Sequence, residues 1–124
     1  MRGSAIIGLV LLAAGAAASA RAAGDPARGK SAFVVCSGCH VLSGTGYAGP
    51  SLAGVVGRRA ATAPGFAYSK ALQASGIVWT EPALDSFLAD PQKAVPGTAM
   101  PIGAPDPKDR ADVIAYLKTV PAAP

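Results

Sequence analysis

Both cysteines of the chain and its only histidine lie between Cys36 and His40. The cysteines are three positions apart and His40 directly follows the second, which is the Cys-x-x-Cys-His spacing for covalent attachment of a c-type haem. Each thiol can add across one vinyl group of the porphyrin, and a short link brings both sulfurs to the edge where those vinyl groups lie. The next residue then lies beneath the iron. The spacing predicts one haem c, attached through Cys36 and Cys39, with His40 as an iron ligand.

Other uses of paired cysteines fit the sequence less well. A structural zinc site usually takes four Cys or His ligands, whereas this chain has two cysteines and one histidine. A thioredoxin-type redox pair belongs with alternating strands and helices, and no such alternation is visible. A disulfide between residues three apart would close too small a loop to stabilise much, and it gives His40 no role.

Elimination identifies the second iron ligand. Besides His40, the candidates are two methionines, and Met1 lies in a segment expected to be removed. Met100 has proline and glycine close by on both sides, which indicates a shaped loop, whereas a methionine that only fills a core suits an apolar helix face better. Ligation by His40 and Met100 would raise the reduction potential and leave no open coordination position, which favours electron transfer over oxygen chemistry.

The first residues have the pattern of a secretory signal peptide. Arg2 gives a positively charged start, residues 5–18 are apolar, and small residues follow as far as Ala23. The apolar run is shorter than the ~20 residues that span a bilayer. We expect a cleaved leader at 1–23 and one domain at 24–124, located in the periplasm without stable membrane insertion. Export agrees with covalent haem attachment, which bacteria complete outside the cytoplasm.

The charge of the mature chain is small. Arg2 and Arg21 leave with the leader, so eleven basic residues become nine against seven acidic ones, a net charge of +2. The remaining bases are scattered and form no stripe suited to nucleic acid. A weak positive field could still favour docking to acidic protein partners.

Helix signals occur at both ends of the mature chain. Asp25 and Pro26 are suited to begin a first helix, whose one face would carry Gly29, Phe33 and Cys36. Asp106 and Pro107 begin the last helix, and its apolar stripe should pack against the first. That stripe consists of Val113, Tyr116, Leu117 and Val120.

Two shorter helices are predicted between these, and no strand pattern is visible. Ser69 would cap residues 70–74, and Thr80 would cap a helix that ends at Asp90 and Pro91. Leu84, Phe87 and Leu88 would face inward from the second of them. The sequence predicts an all-α fold of about four to five helices and loops wrapped around one covalently attached haem.

With these residues assembled, the chain resembles the class I cytochromes c, in particular the branch of mitochondrial cytochrome c and bacterial cytochrome c2. The likeness runs from Gly24 to Val120. The motifs that carry it are Cys36 to His40, Gly49-Pro50, Gly57-Arg58, Pro64-Gly65-Phe66, Trp79, and Pro96-Gly97-Thr98 before Met100.

The resemblance implies a fuller set of site residues. In that family the first and last helices cross through a glycine and an aromatic contact. A proline carbonyl orients the haem histidine, which corresponds to Pro50; the residues alone leave this open against a simple turn. The resemblance also implies that Arg58, Tyr68 and Trp79 bind haem propionates and that Thr98 is the loop threonine of the methionine segment.

Several positions depart from the family pattern. Phe87 stands where a tyrosine often lies near the methionine sulfur, and Leu72 where an asparagine often lies near a propionate. Ile102 replaces a common aromatic residue, and Phe33 and Cys36 are separated by one residue fewer than usual. The lysine ring that many members use for docking is thin here.

The expected function is that of a soluble, monomeric single-haem electron carrier, without enzymatic activity. The resemblance implies redox protein partners such as a cytochrome bc complex and a terminal oxidase or photosynthetic reaction centre. Two alternatives remain open. One is a haem subunit docked to a larger oxidoreductase, and the other is a peroxidase or gas-binding haem protein with a labile Met100.

Overall fold

The computed structural model describes residues 23–124, so the predicted leader lies outside the described residues apart from Ala23. The described chain is helical, and its one β feature is an isolated antiparallel bridge between Arg59 and Val78. The predicted all-α class is confirmed. Residues 23–124 contain five α-helices, which are α1 (Pro26–Ala32), α2 (Lys70–Ala74), α3 (Glu81–Ala89), α4 (Pro91–Ala94) and α5 (Pro107–Leu117).

Each helix begins at a side chain that accepts hydrogen bonds from its first turn. Asp25 accepts from two backbone N–H groups of α1, and Asp106 does the same for α5. Ser69 caps α2 and Thr80 caps α3, so all four predicted starts are confirmed.

The end of the first helix differs from the expectation. The α-helix stops at Ala32, and the chain continues as a 3-10 helix over Phe33–Gly38. Side chains three residues apart eclipse one another in a 3-10 helix. Cys36 therefore lies on the same face as Phe33, although one residue fewer separates the two than is usual in the family that the chain resembles. Cys36 accordingly packs against the buried cluster that contains Phe33.

Helices α1 and α5 cross at Gly29, as the sequence predicts. A Cβ at this position would overlap the carbonyl oxygen of Asp112 and lie 2.8 Å from Cβ of Tyr116, so only glycine permits the approach. Phe33 packs edge to face on Tyr116, with ring centroids 5.6 Å apart. The two termini of the domain are thereby joined in one core.

A buried carboxylate reinforces this crossing, and the sequence analysis did not identify it. Asp112 is 3% exposed and accepts hydrogen bonds from the Asp25 N–H at 2.7 Å, Arg28 Nε at 2.9 Å and Lys108 Nζ at 3.0 Å. These donors, Arg28 first, hold the pKa of Asp112 well below its usual range. The hydrogen bond between Arg28 and Asp112 also raises the pKa of Arg28.

The segment after α3 contains a helix that the sequence analysis missed. Asp90 and Pro91 do end α3, but the Asp90 carboxylate also caps α4 by accepting from the Lys93 N–H at 3.1 Å. The aspartate and proline pair could have indicated this start, as it does at α1 and α5. Helix α4 brings the chain to the loop that carries Met100.

The core lies between α1, α3, α5 and the loops. Its buried members are Phe33, Val55, Trp79, Leu84, Phe87, Val95, Val113, Ile114 and Leu117. Leu88 and Tyr116 pack against this cluster while remaining partly exposed. None of the helices within residues 23–124 is long and apolar enough to cross a membrane.

Candidate haem-binding site

The paired cysteines lie where the 3-10 helix closes into a turn. The backbone N–H groups of Cys39 and His40 both donate to the Cys36 carbonyl, at 3.1 and 3.0 Å. Cys36 is half-buried and Cys39 exposed, and neither forms a disulfide. Burial raises the pKa of the Cys36 thiol. Both thiols are therefore available for thioether formation.

A backbone carbonyl fixes the orientation of the His40 ring. Nδ1 of His40 lies 2.8 Å from the carbonyl oxygen of Pro50. Because that oxygen can only accept, Nδ1 must carry the proton and Nε2 keeps its lone pair. A ring held in this way presents Nε2 to a metal. Sequence alone left the role of Pro50 open, and the geometry supports the orienting role.

Gly49 lies against the same ring and is buried. A Cβ there would lie 2.7 Å from Cε1 and 2.9 Å from Nδ1 of His40, and the Gly49 N–H donates to the Cys39 carbonyl at 2.8 Å. The sequence analysis noted this glycine only as part of a motif. Its contact shows that the ring occupies the space that a side chain would need.

Met100 lies on a loop that meets the core. It is partly buried and packs against the buried cluster. Thr98 is 6% exposed, and its N–H donates to the Val95 carbonyl at 3.0 Å. The amide of Gln92 donates to the carbonyls of Thr98, at 2.8 Å, and of Met100, at 3.3 Å.

The far end of this loop is held by Arg110, a residue that the sequence analysis counted only as a scattered base. Arg110 is 7% exposed and donates to the carbonyls of Ala104, at 3.1 Å, and Pro105, at 2.7 Å. Its Nε also binds Asp85 of α3 at 2.9 Å. Helical periodicity puts Arg110 on the same face of α5 as Val113, three residues later, but nothing local identifies its partners.

Arg58 has one buried N–H without an acceptor in the described part of the protein. Its two terminal nitrogens donate to the carbonyls of Ala53, at 2.6 Å, and Ser51, at 3.0 Å. Nε is buried and has no hydrogen-bond partner there. Buried donors are almost always satisfied, so this N–H fits an anionic oxygen such as that of a haem propionate.

Trp79 and Tyr68 are the other two propionate candidates. Trp79 is buried and adjacent to Arg58 through the backbone, because the Trp79 N–H donates to the Arg58 carbonyl at 2.9 Å; its indole packs on Phe87 with ring centroids 4.9 Å apart. The Tyr68 hydroxyl oxygen accepts from the Ala63 N–H at 3.0 Å, and its own proton can still be donated.

These residues together fit a covalently bound haem. Two available thiols, an imidazole with Nε2 directed away from its hydrogen bond, a methionine and an orphaned buried N–H supply the donors that such a group requires. Within residues 23–124, no three His, Cys, Asp or Glu side chains gather as a metal cluster would need. The fold and the site define a small all-α protein built to carry one haem through two cysteines.

Comparisons with known proteins identify the family. The family model for Cytochrome c matches residues 26–121. Cytochrome c2 of Rhodopila globiformis is 51% identical over 100 residues, covering 78% of this chain and 94% of its own. Cytochrome c of Tetrahymena pyriformis is 50% identical over 99 residues, covering 78% and 90%. The chain belongs to the cytochrome c family, in the class I branch that includes cytochrome c2.

Solved structures agree with this assignment. Cytochrome cH from Methylobacterium extorquens superposes with a TM-score of 0.74 at 49% identity, covering 77% of this chain and 99% of that one. Cytochrome c2 from Rhodospirillum centenum gives 0.73 at 37% identity, with 79% and 99% covered. The protein accordingly binds one haem c covalently through Cys36 and Cys39, and it is an electron-transfer protein rather than an enzyme.

Proposed function

We propose that this protein is a soluble, exported single-haem electron carrier in which His40 and Met100 would be the two protein ligands of the haem iron. The observation that carries the proposal is the hydrogen bond from His40 Nδ1 to the Pro50 carbonyl at 2.8 Å, because it fixes Nε2 as the ligating atom. The bound iron supplies a one-electron couple between the ferric and ferrous states. Two protein ligands would leave no coordination position open, which would favour electron transfer over oxygen chemistry.

The surrounding residues would hold the cofactor and exclude water. Arg58 Nε, the Tyr68 hydroxyl and the Trp79 indole are the proposed donors to the propionates, and the orphaned Nε supports this role most directly. Thr98 anchors the methionine segment from a buried position. A buried apolar cluster lowers the dielectric around the iron, which is one of the factors that set a haem potential.

The proposed location is the periplasm and the proposed partners are membrane-bound redox complexes. The leader pattern at residues 1–23 supports export, and the small net charge is compatible with brief, weak docking. By family likeness, the partners would be a cytochrome bc complex on the donor side and a terminal oxidase or photosynthetic reaction centre on the acceptor side. We propose a monomer, free of nucleic acid and without stable membrane insertion.

Optical spectroscopy tests the ligand assignment. The mature haem-loaded protein should give a sharp low-spin spectrum in both oxidation states, with the ferric sulfur-to-iron charge-transfer band. Carbon monoxide should leave the ferrous spectrum nearly unchanged. In Met100→Ala the band should vanish and carbon monoxide should bind readily. A high-spin wild type that binds carbon monoxide as readily as Met100→Ala would overturn the proposal and favour the gas-binding alternative.

A further inference from the structure

The backbone around Met100 has few hydrogen bonds. The Thr98 N–H donates to the Val95 carbonyl, and the Ala104 N–H donates to the Leu88 carbonyl. Among the described residues, none of residues 99–103 donates a backbone–backbone hydrogen bond. Pro101 has no N–H to donate. The only hydrogen bond described for Met100 is the one that its carbonyl accepts from Gln92. The conformation of this segment therefore depends on side chains outside it.

Gln92 is placed to hold the segment on both sides of Ala99. One side-chain amide donates to the Thr98 carbonyl at 2.8 Å and to the Met100 carbonyl at 3.3 Å. Two donors on one nitrogen thus fix two points of the chain, one of them in the methionine itself.

The backbone that carries Gln92 is itself held in place. Gln92 follows Pro91, which is buried, in the short helix α4 that Asp90 caps. The Val95 N–H donates to the Pro91 carbonyl at 2.9 Å, and Val95 is buried in the core. The side chain of Gln92 is exposed, so its loss should leave the core packing unchanged.

We propose that Gln92 is a positioning residue for the methionine ligand. By holding the Thr98 and Met100 carbonyls, it keeps the sulfur in the position that the iron requires, so that removing its amide makes Met100 easier to displace. This inference rests on the proposed ligation by Met100. It concerns the lability of the ligand rather than the stability of the fold.

The test compares haem-loaded wild type with Gln92→Met, which preserves side-chain length but cannot donate. Imidazole is titrated into the ferric protein, and the rate of carbon monoxide binding is measured in the ferrous protein. Both depend on the fraction of molecules with the sulfur detached. We expect each to rise about fivefold, the size of one lost side-chain hydrogen bond. Gln92→Glu, which keeps the length but presents a carboxylate, should show at least the same rise.

Gln73→Met is the matched control. Gln73 is also exposed and donates from its amide to a backbone carbonyl, that of Tyr68, at the same 2.8 Å. It makes no hydrogen bond to the methionine loop. Its substitution should change ligand exchange by less than about twofold, while urea unfolding should show similar stability losses for both variants.

The outcomes separate the two proposals. A rise in Gln92→Met and Gln92→Glu, without one in Gln73→Met, supports the inference. Equal ligand exchange in Gln92→Met and Gln73→Met overturns it, even if the wild type has the sulfur-to-iron band. If the wild type lacks that band and Met100→Ala leaves its spectrum unaffected, the Met100 assignment is overturned, and the Gln92 inference with it.

Discussion

His40 and Met100 lie on segments of the chain that are held in different ways. The histidine segment is fixed by contacts among Cys36, Cys39, Gly49 and Pro50, which are close in sequence, and most of them involve backbone atoms. The methionine segment has no comparable network of its own. Its carbonyls are held by side chains from α4 and α5.

This difference concerns what each segment depends on for its conformation. The turn around His40 is held mainly by hydrogen bonds among its own residues, whereas the methionine loop depends on side chains from α4 and α5. Because loops with few contacts open at low free-energy cost, the methionine side should be the more labile one.

The largest effect is expected from Arg110→Met. The change removes a buried cation that binds Asp85 and two loop carbonyls, and breaking a buried ion pair costs about 3 kcal/mol. Urea unfolding of the haem-loaded protein should show a fall of about that size, and imidazole affinity should rise as well. Lys118→Met is the control on α5, because Lys118 and Glu81 form an exposed pair. Equal losses in both variants would mean that Arg110 does not hold the loop.

A smaller loss is expected from Gly49→Ala, on the histidine side. The new Cβ would lie 2.7 Å from His40 Cε1, and overpacking of this kind costs about 2 kcal/mol. The low-spin spectrum should weaken as the ring moves away from the Pro50 carbonyl. In Gly38→Ala the added Cβ meets no protein atom within 4 Å, so this variant should lose less stability than Gly49→Ala. An unaltered spectrum in Gly49→Ala would show that the ring is held less tightly than the structure indicates.

The smallest effect on the iron environment is expected from Asp112→Asn, which lies at the crossing of α1 and α5. The pKa of Asp112 is lower in the folded protein than in the unfolded chain. Its stabilisation is therefore present above the unfolded value of about 4, and it is lost as pH falls from there towards the folded pKa. The variant should unfold at a lower urea concentration at pH 7, and the gap should narrow below about pH 4.

Asp109→Asn provides the comparison for this pH dependence. Asp109 is an exposed acid in the first turn of the same helix. Asp109→Asn should therefore have little effect on the urea concentration of unfolding at pH 7 or on its pH dependence. Imidazole affinity should match wild type in both variants. If the difference in stability between Asp112→Asn and wild type does not vary with pH, the charge of the carboxylate does not stabilise the contact between α1 and α5.

Several features of this protein could be derived from residue types and spacing. The capping residues predicted four helix starts, because a short polar side chain before an apolar stripe satisfies free N–H groups locally. The cysteine and histidine spacing predicted covalent haem, since that chemistry acts over five consecutive residues. The glycine at the helix crossing was also predictable, because a poor helix former within a helix needs a reason such as close packing.

Other features required the folded chain. Arg110 and Asp112 are charged, and charged residues are seldom buried unless they are paired, so sequence alone gave no reason to place them in the core. Their partners, Asp85 and Arg28, are 25 and 84 residues away, and such pairings have no local signature. The contacts of Gln92 are hidden for a different reason, because its acceptors are backbone carbonyls, which any residue type would supply.

The sequence by itself determined the haem attachment chemistry, four helix starts and the helical class, because each depends on residues that are near one another along the chain. Tertiary structure alone decided how the methionine side is held and which charges are buried. Those features depend on the packing of α1, α3, α4 and α5, and contacts between distant segments are set by the whole core rather than by any one stretch.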